Sequence, residues 1–109
     1  MKLLKSELFR KDVEHQFRNY SEDYNLEEMD VLKLCARFNH AVDQAVQLIC
    51  SNPEIGRRRL TEYASVANAR SKTLPKPFER FRIFYYLEAQ TIFLDRLIEG
   101  HTRRAQERD

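Results

Sequence analysis

The stretch FERFRIFYYLEAQTIFLDRLI, from Phe78 to Ile98, decides the fold. It is dense in aromatic and β-branched side chains, which suit a pleated, half-buried surface. In strand geometry Phe81, Ile83, Tyr85 and Leu87 point one way, and Arg80, Arg82, Phe84 and Tyr86 the other. Glu88-Ala89-Gln90 is a short connection. Thr91 to Ile98 follows as a second strand, with Ile92, Leu94, Arg96 and Ile98 expected on one face. So short a gap predicts an antiparallel hairpin. Gly100 ends it, and the polar, basic run from His101 to Asp109 is expected as a loose tail.

Upstream, Pro75 and Pro77 fit a loop or sheet edge. Val66 to Thr73 offers another strand, of small side chains, within a segment of weak periodicity. Glu54-Ile55-Gly56 turns the chain. Before that turn lies the clearest element of the sequence. Val31, Leu34, Cys35, Phe38, Val42, Ala45, Val46 and Ile49 recur at three and four residues, one face of a helix. Asn52-Pro53 ends it, because proline disfavours helical geometry in the residue before it. Asn25 with Glu28 three residues on reads as its capping box. Glu27, Glu28 and Asp30 sit in the first turn, where the helix dipole favours them.

An earlier helix carries Leu8, Phe9, Val13, Phe17, Tyr20 and Tyr24 on one face, with Ser6 as its N-cap. Lys2 to Lys5 is a short strand ahead of it. The predicted order is β-α-α-β-β-β over one domain, residues 1–109. That is an α+β fold, a helical hairpin packed on a small, mostly antiparallel sheet.

Composition agrees with this. The chain has 109 residues, 42% of them hydrophobic and 33% charged. That is too apolar for a disordered chain. Only two glycines and three prolines occur, so elements should be long. No run of 18 or more apolar residues exists, which excludes a transmembrane helix and argues for a partner other than a membrane. Positive charge near Met1 is not followed by an apolar core, which argues against a secretory signal. Cys35 and Cys50 fall on one helix, over 20 Å apart at about 1.5 Å per residue, too far to pair. They read as two buried free thiols in a reducing cytoplasm.

The net charge is only +2, but the total hides a division. Residues 1–51 carry 7 basic and 9 acidic side chains, and residues 52–109 carry 12 and 8. Between Arg57 and Arg82 stand Arg57, Arg58, Arg59, Arg70, Lys72, Lys76, Arg80 and Arg82, against Glu62 and Glu79 alone. A basic face of that kind attracts nucleic acid or an acidic protein segment.

The sequence holds no glycine-rich phosphate loop. His15, His40 and His101 share no metal-ligand spacing with one another or with the cysteines, so neither a metal nor a cofactor is expected. What remains is a basic, aromatic-bearing sheet half with Arg80, Arg82, Tyr86, Arg96, His101, Arg103 and Arg104. Such a set suits metal-free ribonuclease chemistry, an arginine neutralising the scissile phosphate and His101 or a tyrosine moving protons. It equally suits reception of a peptide from a partner.

Asn52-Pro53-Glu54-Ile55-Gly56-Arg57, closing a long amphipathic helix, resembles the NPEIGR signature of the RelE/ParE toxin superfamily. The run from Arg70-Ser71 through Pro75, Pro77 and Phe78 to Ile83-Phe84-Tyr85-Tyr86 resembles the ParE-like pattern, in which an Arg-Ser pair and Pro and Phe positions lead into IFY. The strand from Ile92 to Gly100, with Arg96 four residues before the glycine, resembles the family's last strand. The resemblance spans nearly the whole chain.

It implies a cytoplasmic toxin of a type II toxin–antitoxin pair, of the plasmid-stabilization kind, encoded beside an antitoxin that wraps and silences it. ParE-like members poison DNA gyrase without being enzymes. RelE-like members cut mRNA on the ribosome with Arg, Lys, His or Tyr side chains. Arg82 stands where RelE-type ribonucleases carry a phosphate-binding arginine. The chain lacks their C-terminal tyrosine, and Glu99 replaces the histidine frequent in ParE-like chains. The first expectation is therefore a non-enzymatic, ParE-like gyrase inhibitor, with Arg80, Arg82, Arg96, Arg103 and Arg104 as the surface for target or antitoxin. The alternative is a ribosome-dependent mRNA endonuclease with Arg82 on phosphate and Tyr85 or His101 as acid or base. A third reading is an inactive relative kept for autoregulation with its antitoxin. A homodimer and a toxin–antitoxin hetero-oligomer are the assemblies the resemblance admits.

Overall fold

The computed structural model describes residues 2–22, 27–58 and 69–100. Their elements are β1 (Lys2–Lys5), α1 (Glu7–Glu22), α2 (Glu28–Ser51), β2 (Arg57–Arg58), β3 (Arg70–Thr73), β4 (Phe81–Glu88) and β5 (Thr91–Glu99). The strands form one sheet in the order β1-β5-β4-β3-β2. β1 runs parallel to β5, and the other neighbours are antiparallel. The expected α+β architecture is present, with one strand more than the sequence announced. That strand, β2, is two residues long, too short to leave a periodic signal. Of the strand expected over 66–73, residues 70–73 form β3, and 66–68 lie outside the described residues.

Ser6 caps α1 as expected. The Phe9 N–H donates to Ser6 Oγ at 2.9 Å, and that hydroxyl donates onward to the Asp95 carbonyl at 2.7 Å. Phe9 and Tyr20 are buried, and Val13 and Phe17 pack partly against the same core. Leu8 departs from the expectation and is 53% exposed. It lies one residue, about 100° of helix, from the Phe9-Val13-Phe17 row and so falls off the buried stripe. Tyr24 lies outside the described residues.

The start of α2 is also corrected. Glu27 holds the N-cap position in extended geometry, without a side-chain cap bond. The helix therefore begins after the Asn25 expected to cap it, and Asn25 lies outside the described residues. Glu28 and Asp30 occupy the first turn, where the dipole favours them. The far end is as read: the Asn52 N–H closes on the Leu48 carbonyl at 3.0 Å, and Pro53 follows. Cys35 is half-buried and Cys50 exposed, both free, so the reading of two buried thiols holds for neither in full. Cys50 sits on the edge of the stripe, beside the fully buried Ile49. Burial pushes the Cys35 thiol up from its ordinary value.

Phe38 is the hub where the helices meet the sheet. Its ring meets Phe17, Tyr20, Phe78 and Phe81 edge-to-face at 6.1, 5.8, 5.4 and 5.2 Å. Such pairs contribute about 0.5–1.5 kcal/mol each beyond area burial.

β4 and β5 form the expected hairpin. Ala89 and Gln90 make its two-residue loop, both in the left-handed region, with φ of 50° and 61°. Two successive residues of positive φ give a loop whose twist matches the strands. The register runs Glu88↔Thr91 to Tyr85↔Leu94, then slips to Phe84↔Arg96. Asp95 is the extra residue of this β-bulge, and an insertion of one reverses the parity of all that follows. Hence Leu97 continues the core face of Ile92 and Leu94, whereas the sequence placed Arg96 and Ile98 there. Phe84, expected to face outward with Arg82, is fully buried but stands outside the main core cluster.

Candidate basic cleft

The turn between α2 and β2 is tied down by one side chain of β4. The Tyr85 hydroxyl donates to the Pro53 carbonyl at 2.7 Å and accepts the Gly56 N–H at 2.9 Å. Arg70, opposite Tyr85 in register, adds donations to the Glu54 and Gly56 carbonyls at 3.2 and 2.9 Å. Gly56 leaves no room for more, since a Cβ there would meet the Tyr85 hydroxyl at 2.7 Å and the Ser71 carbonyl at 2.8 Å. Burial pushes the Tyr85 phenol above its ordinary value, and the Gly56 donor and the Arg70 charge oppose this more weakly.

This turn forms one wall of a cleft of about 290 Å³ lined by Ile55, Ser71, Lys72, Thr73 and Arg82. The pairing explains why the cleft exists. Among the described residues β2 pairs with β3 through Arg57↔Ser71 and Arg58↔Arg70. Extended by two residues, the same register would bring Ile55 against Thr73. The clamps on Pro53–Gly56 draw the chain off that line, and the gap stays open. Arg82 reaches the cleft because it lies opposite Thr73 on the adjoining strand. The Leu74 N–H donates to the Phe81 carbonyl. By strand alternation, the backbone groups of Thr73 face the other way, toward the gap. Among the described residues the lining therefore offers two cations and two hydroxyls beside one aliphatic wall, with no carboxylate, imidazole or phenol. Cations and hydroxyls together suit a negatively charged group.

The other residues singled out in the sequence stand elsewhere. Arg80 is exposed, 3.3 Å from Glu99 and with its guanidinium 5.4 Å from the centre of the Phe81 ring. Arg96 is held on α1, its Nε and Nη2 donating to the Asp12 carboxylate at 2.8 and 3.0 Å. Arg80, Arg82 and Arg96, the described members of the expected contact set, thus occupy three separate settings. Tyr85, the alternative acid or base, is fully buried and acts as a structural clamp. His101, Arg103 and Arg104 lie outside the described residues. Tyr86 stacks on Phe93 across the hairpin, centroids 4.9 Å apart and planes 13° from parallel.

The part played by Ser71, Thr73 and Ile55 was not visible in the sequence. The signal that could find it is cross-strand register, which places Ser71 beside Arg57 and Thr73 beside Arg82. Among the described residues no group of His, Cys, Asp and Glu could hold a metal ion, and no helix is long and apolar enough to cross a membrane.

The fold matches a chain of a solved structure described as the chromosomal ParDE TA system from P. aeruginosa. The TM-score is 0.66 at 17% identity, covering 91% of this chain and 95% of that one. At that identity the likeness is one of fold. No protein-family model matches the sequence, and no curated protein does.

Proposed function

We propose that the chain is the toxin of a type II toxin–antitoxin system, ParE-like, acting in the cytoplasm by binding a protein target and silenced by a cognate antitoxin. The observation that carries this reading is the fold likeness to a chain of a ParDE system over nine-tenths of both chains. DNA gyrase is the target the ParE resemblance implies.

The site chemistry supports binding over catalysis. An endonuclease of the RelE type needs an acid and a base within reach of the phosphate that Arg82 would hold. Tyr85 has its hydroxyl committed to the backbone of the turn, and no other acid or base is among the described residues of the cleft lining. Cation and hydroxyl donors at fixed positions are what recognition of an acidic partner requires.

Gyrase supercoiling and ribosome-dependent mRNA cleavage, measured side by side with purified protein, test the proposal. The expected result is loss of supercoiling with intact mRNA. Cleavage abolished by Arg82→Ala would replace this reading with the endonuclease. In cells, expression should arrest growth, and co-expression of a small reading frame beside the gene should restore it. Harmless expression would leave only the inactive relative.

A further inference from the structure

We infer that two copies of this chain meet across the face of β1, β5 and β4 that lies opposite the helices, in a two-fold pair centred on Phe93. The surface goes beyond the toxin reading and stands whether or not that reading does.

Register builds the patch. Side chains alternate between the two faces of a sheet, and the helices take the parity of Leu3, Ile83, Tyr85, Ile92 and Leu94. The other parity carries Lys2 and Leu4 on β1, Thr91 and Phe93 on β5, and Tyr86 and Glu88 on β4. Leu4 lies opposite Phe93, and Phe93 opposite Tyr86, so an apolar row crosses three strands. The two rings stack at 4.9 Å and are half-buried, while Leu4 is 50% exposed. A contiguous apolar patch of this kind marks an interaction surface. One step along, the row Lys2-Thr91-Glu88 carries a cation at one end and a carboxylate at the other, both on exposed residues.

Symmetry turns that order into complementarity. A two-fold axis parallel to β5 and above Phe93 keeps every residue at its own level and exchanges left with right. Lys2 then faces Glu88 of the second copy, Leu4 faces Tyr86 of the second copy, and Phe93 faces its own equivalent. Such an isologous contact needs a surface complementary to itself, and this one is. Sheets packed face to face with aligned strands stand about 10 Å apart, the space that interdigitating side chains fill. The charges also select the occupant. A polyanion such as RNA would meet Glu88, and a peptide of one charge would meet a like charge at one end of the row. A second copy presents the row reversed. The patch is small, and interfaces below about 1,200 Å² belong to transient pairs, so the dimer gathers only as concentration rises.

Sedimentation equilibrium of the full chain, from roughly 10 μM to 1 mM, tests this. A reversible monomer–dimer equilibrium is expected. Lys2→Glu and Glu88→Lys each bring like charges face to face and should raise the dissociation constant about tenfold. An equimolar mixture of these two variants re-forms both ion pairs and should dimerise as the parent does. Phe93→Ser should leave a monomer, with circular dichroism confirming that each variant is folded. A parent chain that stays monomeric throughout overturns the inference. So does a dimer that the charge variants fail to weaken or that their mixture fails to restore. Binding of a uridine hexanucleotide to a monomer, with shifts of the Tyr86 and Phe93 amides, overturns it as well.

Discussion

On β5, Asp12 of α1 accepts two bonds from Arg96 and a third from the Leu97 N–H at 2.9 Å. On β4, Tyr85 accepts one bond and donates one, both to the backbone of the Pro53–Gly56 turn. Both clamps fix a segment to the sheet, but one is ionic and partly exposed, and the other is neutral and buried. The ionic clamp anchors a helix that also has a hydrophobic face to hold it. The neutral clamp anchors a turn of five residues between α2 and β2, which has little apolar surface of its own. The molecule thus places its less salt-sensitive fastening on the turn that borders the cleft, where Arg70 reinforces it.

The comparison breaks most readily at Tyr85. Tyr85→Phe leaves the Gly56 N–H and the Pro53 carbonyl without their partner, and loss of a buried partner costs about 1–3 kcal/mol. Denaturant unfolding should show about 2 kcal/mol of lost stability, with shifted Ile55 and Thr73 amides. The alkaline limb should change as well. The folded-state phenol is raised above its ordinary value of about 10, so its contribution is complete below that pH. It is lost as pH rises through the folded-state value. Unfolding free energies between pH 8 and 11 should therefore fall less steeply for Tyr85→Phe than for the parent.

Asp12→Asn probes the other clamp. The amide still accepts from Leu97 but gives up the ion pair with Arg96, and a loss of about 1 kcal/mol is expected. Repeating both measurements in about 1 M salt sharpens the contrast. The Asp12→Asn difference should shrink, and the Tyr85→Phe difference should stay. An unchanged Asp12→Asn effect in salt would show that its hydrogen bonds, not its charge, hold α1. The smallest effect belongs to Arg80→Ala. Its pair with Glu99 lies half in solvent, and such pairs contribute below about 0.5 kcal/mol.

The long periodic helix and the hairpin were legible because each repeats a pattern over many residues. The bulge was not, because β5 is apolar at both parities near its end. Leu97 and Ile98 are adjacent, and neither spacing flags Asp95 as the extra residue. Leu8 and Cys50 show the same limit on helices, where residues at the margin of a stripe are apolar in type and exposed in place. The candidate site was legible only in its charge. Arg82 was visible as one basic residue among several, but its neighbours Thr73 and Ile55 come from a register no periodicity encodes. Tyr85 read as a core residue, and it is one. Its second duty depends on a turn 29 residues away.

The parallel pairing of β1 with β5 bears on how the protein is made. Lys2 to Lys5 lie against Thr91 to Leu94, and the cap of α1 leans on Asp95, 89 positions along the chain. Closing a loop of that length costs on the order of 4 kcal/mol of chain entropy before any contact returns it. During synthesis, at roughly 5–20 residues per second, the first strand emerges early and waits for the last one. A nascent chain stopped short of Thr91 has its helices but lacks β5, the strand that joins β1 to β4. The protein is therefore finished in a single late step, and a partly translated copy carries an open edge rather than a working surface.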